Sequence, residues 1–243
     1  MQKTHACEIQ LRTRDCDMLG LWKPSAVLEA MQDAAGMHST ALGCGRETLV
    51  RSGLVWVITR CEMRFDALPR VLESVRIETF PMPLRHWFFP RHFIFRDEAG
   101  GELGAASTLW VLFDLKNRRM AEPGEVAKCI PDNSDLTPPL GAPRMPRRLS
   151  GACAQSARLP VFSEIDVNGH VNNARYADWL CDALGMETMR EYRVETMQIS
   201  FASEILPGEE MTLELAREGL SYYFVGSRDQ KAHFEIGGTL ARR

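Results

Sequence analysis

The segment Ile165-Asp166-Val167-Asn168-Gly169-His170-Val171-Asn172-Asn173 sets a carboxylate, a carboxamide and an imidazole at alternate positions. A carboxylate holds or accepts a proton, an imidazole exchanges one near neutral pH, and a carboxamide both donates and accepts hydrogen bonds. Tyr176, Ala177, Leu180, Ala183 and Leu184 follow at helical spacing, so the polar trio stands just ahead of a helix. Backbone N–H groups at a helix start lack partners within the helix and can receive a developing negative charge. Base, orienting groups and anion-stabilising donors in one short stretch are what hydrolysis needs. Taken singly, Asp166 reads as a turn residue, His170 as a turn or capping histidine, and Asn172 and Asn173 as helix caps. Their combination points to chemistry.

The elements that must position this trio occur twice. Asp17 to Met37 reads DMLGLWKPSAVLEAMQDAAGM, and Asp166 to Met186 reads DVNGHVNNARYADWLCDALGM. Aligned without gaps they share six identities: Asp17/Asp166, Gly20/Gly169, Asp33/Asp182, Ala34/Ala183, Gly36/Gly185 and Met37/Met186. Average composition gives about one or two. A second local match sets Ala67-Leu68-Pro69 against Ile205-Leu206-Pro207. Asn168 and His170 face Leu19 and Leu21, so the second copy keeps the polar trio and the first has turned apolar. Chemistry is therefore expected in the C-terminal half, and burial of an apolar group in the N-terminal half.

The spacing predicts a first helix over 24–42, starting on Pro24, and a second starting at Asn172 or Asn173, with Gly43 and Gly185 as stop signals. Strands are expected at 55–66, 75–80, 87–96 and 104–115, then at 193–204, 210–218, 222–229 and 233–241. Each half is then one long helix lying across an antiparallel sheet, an α+β arrangement with the geometry of a hotdog fold. A proline-rich stretch from Ala121 to about Ser156 reads as an extended connector. The expected domains are residues 1–125, a connector over 126–155, and residues 156–243.

Composition narrows the function classes. The 243 residues are 45% hydrophobic and 25% charged, which fits a folded globular chain rather than a disordered one. A net charge of −3 argues against a dedicated nucleic-acid binder. The first residues carry no apolar run of signal-peptide type, and no stretch approaches a membrane span. Seven scattered cysteines without a CxxC pair suggest reduced thiols, hence a cytoplasmic location. The six histidines lack metal-ligand spacing, so neither a metal nor another cofactor is expected.

The run Asp166-x-Asn168-x-His170-Val171-Asn172-Asn173-x-x-Tyr176-x-x-Trp179 resembles the signature of acyl-acyl carrier protein thioesterases, double-hotdog enzymes of plants and bacteria. Ser107–Leu115, followed by Lys116-Asn117-Arg118-Arg119-Met120, is similar to the end of that family's first domain. The resemblance covers about residues 12–240. It implies catalytic roles for Asp166, Asn168, His170 and a Glu on a strand beyond the helix, a position that Glu204 fits. Plant members carry a Cys directly after this Glu, and here it is Ile205, so no cysteine nucleophile can act there. His170 and Glu204 are then expected to position and deprotonate water, Asp166 to orient them or attack the carbonyl itself, and Asn168 to hold the water or the carboxylate. Backbone N–H groups of Val171 and Asn172 are the expected oxyanion donors. The N-terminal half is expected to hold the acyl chain, against Met31, Trp56 and Met63, beside their plain role in core packing.

The implied substrate and partner is an acyl carrier protein bearing a fatty acyl thioester. Such carriers are acidic, so a basic patch would steer docking. Two clusters qualify, Arg85, His86, Arg91 and His92 around Trp87-Phe88-Phe89, and Arg144, Arg147 and Arg148 in the connector; the second is preferred. An acyl-CoA thioesterase on the same fold is the nearest rival. A hotdog dehydratase and a non-catalytic lipid-binding module come after it. Because duplication can supply the second half of the site internally, either a monomer or a homodimer is consistent with the chain.

Overall fold

The computed structural model describes residues 2–151 and 153–243. Two compact units divide the chain, the first ending at Pro143 and the second made of Arg144–Arg243 together with Pro24–Ala26. The first unit contains β1 (His5–Gln10), α1 (Pro24–Ala41), α2 (Arg46–Arg51), β2 (Leu54–Phe65), β3 (Ser74–Pro81), β4 (Phe89–Arg96), β5 (Glu102–Asp114) and β6 (Arg119–Ala121). The second contains β7 (Cys153–Arg158), α3 (Arg175–Leu184), α4 (Met186–Glu191), β8 (Tyr192–Phe201), β9 (Met211–Glu218), β10 (Ser221–Arg228) and β11 (Lys231–Arg242).

The main strands of the first unit lie in the order β1-β3-β4-β5-β2, with β6 hydrogen-bonded to β5. Those of the second lie in the order β7-β9-β10-β11-β8. Element for element the order is the same, so the internal repeat of the sequence is also a repeat of topology. Each unit is a hotdog, an antiparallel sheet with a helix against one face.

The helices form where apolar spacing predicts. Pro24 occupies the first turn of α1, where its missing N–H costs nothing. Val27, Leu28, Met31, Ala34, Ala35 and His38 are all buried along one side of that helix. In the second unit Tyr176 stacks on Phe234 of β11 with ring centroids 4.2 Å apart, which locks α3 to the sheet. Gly185, at φ +84°, ends α3 and lets α4 begin at once. The second helix starts three residues later than its earliest expected position. Asn172 stands ahead of it, its Oδ1 accepting the Ala174 N–H at 2.9 Å, and so closes the turn that leads in.

Three strands escape a periodicity argument: β1, β6 and β7. All are short, and β1 and β7 are edge strands: β1 alternates half-buried with exposed side chains over 6 residues only, and β7 is almost wholly exposed. The connector is extended only in part. A 3₁₀ turn spans Gly124–Cys129, and Asn133, fully buried, donates to the carbonyls of Lys3 and Pro81 and ties this stretch to the first unit. Further on, Pro146 and Arg147 lie flat on β11 at Gly237, where a Cβ would stand 3.2 Å from Pro146 Cβ.

Candidate active site

The loop from Asp166 to His170 is a tight turn closed by its own backbone. Asp166 N–H donates to His170 O at 3.0 Å, Gly169 N–H donates to Asp166 O at 3.0 Å, and Gly169 takes φ +81°, the left-handed region that favours glycine. The Asp166 carboxylate caps the turn: Oδ1 accepts the Asn168 N–H at 2.8 Å and Oδ2 accepts Asn168 Nδ2 at 3.2 Å. His170 Nδ1 stands 3.8 Å from Asp166 Oδ1 and 3.3 Å from the Val171 carbonyl. A carbonyl only accepts, so that contact is a hydrogen bond when Nδ1 carries the proton, which leaves the Nε2 lone pair as the basic one.

The turn of the N-terminal unit repeats the backbone bonds of this geometry. Asp17 N–H donates to Leu21 O at 2.8 Å, Gly20 N–H donates to Asp17 O at 2.9 Å, and Asp17 Oδ1 accepts the Leu19 N–H at 2.8 Å. Gly20 has φ +77°. The bridge pairs Cys16↔Trp22 and Ile165↔Val171 occupy the same positions of the two turns.

Glu204 comes to the turn through backbone contacts on either side of it. Val171 N–H donates to Ile205 O at 2.9 Å, and His233 Nδ1 lies 3.0 Å from Glu204 O. The carboxylate is not on a strand, as the sequence suggested, because β8 ends at Phe201. It sits in the exposed turn that follows. The repeat sharpens this position. Trp22 N–H donates to Pro69 O as Val171 N–H does to Ile205 O, and Arg70 N–H donates to Glu73 Oε2 as Leu206 N–H does to Glu209 Oε2, both at 2.8 Å. Leu68 is therefore the counterpart of Glu204. The sequence match of Ala67-Leu68-Pro69 with Ile205-Leu206-Pro207 was displaced by two residues, drawn there by the shared Leu-Pro pair.

Two residues bind the site together that the sequence offered only as packing or not at all. Tyr176, on the first turn of α3, is almost fully buried, and its hydroxyl has no hydrogen-bond partner among the described residues. Burial first, then the negative charges of Asp166 and Glu204, push the phenol well above its ordinary range, so both carboxylates lie within electrostatic reach of this O–H. Glu164, 6% exposed, accepts from Trp179 Nε1 at 2.8 Å, from Val161 N–H at 2.9 Å and from the Arg158 guanidinium. Burial opposes its charge, but these donors more than compensate and hold the carboxyl below its usual range. Glu164 thus anchors the base of the turn, a role its spacing from Val161 could have signalled as a cap.

The expected oxyanion donors need correction. Val171 N–H is spent on Ile205 O and Asn172 N–H on Glu164 O, at 2.9 Å each. Both amides hold the turn in place and have no proton left to offer an oxyanion. Of the residues expected along the acyl chain, Met31 and Met63 are buried at 2% and 3% exposure on the helix side of the first sheet. Trp56 is half-buried on the same strand as Met63, edge-on to Phe89 at 4.8 Å beneath α2, and its Nε1 donates to Cys44 O at 2.9 Å. In the connector, Arg144 and Arg147 are exposed. Arg148 is ion-paired to Glu235 at 3.0 Å and lies over the Tyr223 ring, so its charge is partly used within its own unit. The other basic cluster does not form a surface patch, because Arg91 and His92 are buried.

Among the described residues no three His, Cys, Asp or Glu side chains gather into a metal-binding group, and no helix is long and apolar enough to cross a membrane.

These features define a tandem hotdog, and known proteins share that fold. An acyl-ACP thioesterase from Bacteroides thetaiotaomicron superposes with a TM-score of 0.88 at 20% identity, covering 98% of both chains. The 12:0-ACP thioesterase from Umbellularia californica superposes with a TM-score of 0.84 at 16% identity, covering 100% of this chain and 99% of its own. Residues 2–128 match the acyl-ACP thioesterase N-terminal domain, and residues 153–236 match the acyl-ACP thioesterase C-terminal domain. The chain belongs to the acyl-ACP thioesterase family. Among curated relatives, the chloroplastic palmitoyl-acyl carrier protein thioesterase of Arabidopsis thaliana is 28% identical over 177 residues, 70% of this chain and 43% of the relative. The chain thus spans less than half the length of that plant protein.

Proposed function

We propose that this protein hydrolyses the thioester of an acyl-acyl carrier protein, releasing a free fatty acid and ending chain elongation. The observation that carries the reading is the contrast within the repeat. One turn keeps Asn168 and His170 beside Glu204, in a chain of thioesterase family, while the matching turn has leucine at all three places. In the proposed reaction His170 Nε2, with Glu204, takes a proton from water as the water oxygen attacks the thioester carbon. Asn168, held by Asp166, orients that water. Asp166 acts as the orienting group, because its carboxylate is already committed to the turn. When the C–S bond breaks, the proton held by His170 passes to the departing sulfur, so the carrier leaves as a neutral thiol and the acyl group as a carboxylic acid. The acyl chain lies in the N-terminal unit against Met31, Met63 and Trp56. A cytoplasmic location, and steering of the acidic carrier by Arg144 and Arg147, belong to the same proposal.

The test is free-thiol release from matched acyl-carrier-protein and acyl-CoA panels across chain lengths, with His170→Ala as control. Preference for the carrier substrates, lost in the variant, is the expected result. Preference for CoA keeps the mechanism and changes the substrate. Undiminished turnover by His170→Ala removes the assignment.

A further inference from the structure

The interior of the N-terminal unit holds a cation without a counter-charge. Arg91 lies on β4, 6% exposed, in a cross-strand row with Pro81, Thr108 and Cys61 on the face covered by α1. Its Nη1 donates to His38 Nδ1 at 3.1 Å and to Thr79 Oγ1 at 3.2 Å. Both acceptors are neutral. His38 is fully buried, and burial, with Arg91 second, lowers its pKa to about 4; its Nε2–H faces the Gln2 carbonyl at 3.1 Å. Among the described residues no carboxylate pairs with Arg91, and its hydrogen bonds to His38 and Thr79 both leave from Nη1. Glu62 is buried too, but it sits in register with Ser107 and His92 on the opposite face. Cys44, near enough to act on Arg91, has its thiol pushed up to about 11 by burial and supplies no charge at neutral pH. Arg91 itself, drawn down to about 10, stays protonated there.

A second orphan stands beside it. His5 is paired with Thr79 across β1 and β3, so it shares this face, and its ring stacks on His38 at 5.8 Å. Its Nε2 is buried and has no hydrogen-bond partner among the described residues. The neighbouring row of the same face holds Met63, Ala106 and Phe93, and Phe89 with Trp110 lies on the other side. An unpaired buried charge is costly unless something neutralises it. The apolar rows want a hydrocarbon, and Arg91 with His5 want an anion that accepts several hydrogen bonds.

We propose that the N-terminal unit binds an alkyl chain that ends in a carboxylate, with the carboxylate on Arg91 and His5 and the chain along the Met63 row. This rests on the reading that the N-terminal unit holds the acyl chain. The carboxylate has two sources, the far end of a carboxy-terminated acyl thioester or the head group of a free fatty acid.

The full chain is titrated with dodecanoate and with methyl dodecanoate, which share the chain and differ in charge, and affinity is read by calorimetry. Dodecanoate is expected to bind at least about tenfold more tightly, an advantage lost in Arg91→Met and partly kept in Arg91→Lys. Equal affinity of the two probes in the wild-type chain overturns the proposal, as does an undiminished advantage in Arg91→Met. Should that variant fail to fold, His5→Ala takes its place, and an unchanged advantage there counts equally against the site. KM for dodecanoyl and 11-carboxyundecanoyl thioesters separates the sources: a lower value for the carboxylated chain assigns the site to substrate, and an advantage confined to the free acid assigns it to product. Because binding is read without turnover, failure of the hydrolysis reading leaves this result interpretable.

Discussion

The two aspartate turns have one backbone and side chains of opposite polarity. Asp17 and Asp166 cap them alike, Gly20 and Gly169 take the same positive φ, and the bridge pairs correspond. What differs is three side chains: Leu19, Leu21 and Leu68 against Asn168, His170 and Glu204. The aspartate persists in the turn that has lost the other three, which separates what the loop needs in order to fold from what a reaction needs. In both units the carboxylate accepts a turn amide, so its presence is explained by the loop alone. On the proposed reaction, the imidazole, carboxamide and second carboxylate are the part that does chemistry.

That comparison breaks most sharply at His170. His170→Leu writes the first turn's residue into the second. Since Leu21 sits in the same backbone, the variant should fold with a melting temperature within a few degrees of wild type. Thioester turnover should fall about 10²–10⁴-fold, the worth of a positioned base. Near-normal turnover with a normal melting curve would show that the two turns do not differ in the way proposed.

The units also differ in how they meet acid. In the first, His38 and His92 are buried and both lowered from 6.5 to about 4, by burial first and by Arg91 or Arg85 second. The unfolded chain takes up these protons near 6.5, while the folded chain refuses them until about 4. Stability contributed by the neutral rings is therefore whole above pH 6.5 and is lost as pH falls toward 4. His92→Phe, which keeps a ring beside Phe80, should flatten part of that fall; parallel pH–melting curves for variant and wild type would refute the account.

Asp17→Ala and Asp166→Ala test the shared half of the comparison. Each removes a turn cap and should cost about 0.5–2 kcal/mol, a few degrees in melting temperature. Only the second should lower turnover. An Asp17→Ala variant as inactive as Asp166→Ala would mean that activity follows general loss of the fold.

Much of this was legible from residues alone, and what was missed has physical causes. The repeat, the two long helices and the turn Asp166–His170 announce themselves through period and polarity. Edge strands β1 and β7 do not, because β1 alternates over only 6 residues and β7 exposes almost every side chain, leaving no apolar period to read. Leu68 was matched to the wrong partner because a Leu-Pro pair outweighs backbone register in a sequence comparison. Val171 and Asn172 were assigned free amides on the general rule for helix starts, yet here α3 begins further on and those amides brace the turn. Arg91 and His92 read as a surface cluster because nothing local records that β4 is buried on both of its faces.

The smallest effect belongs to Tyr176, where the two units differ again: its counterpart in the repeat is Val27. The Tyr176 hydroxyl is buried without a partner, so Tyr176→Phe removes an unsatisfied polar group and should leave stability unchanged or raise it by about 1 kcal/mol. The phenol nonetheless stands within the field of Asp166 and Glu204. We predict that, as an O–H donor, it helps to hold one of these carboxylates during turnover. A drop of about threefold to tenfold in kcat with KM unchanged is the expected result, because the hydroxyl then positions a carboxylate of the enzyme and does not serve substrate binding. No change in kcat would make Tyr176 a packing residue like Val27 and confine the chemical difference between the turns to their three polar side chains.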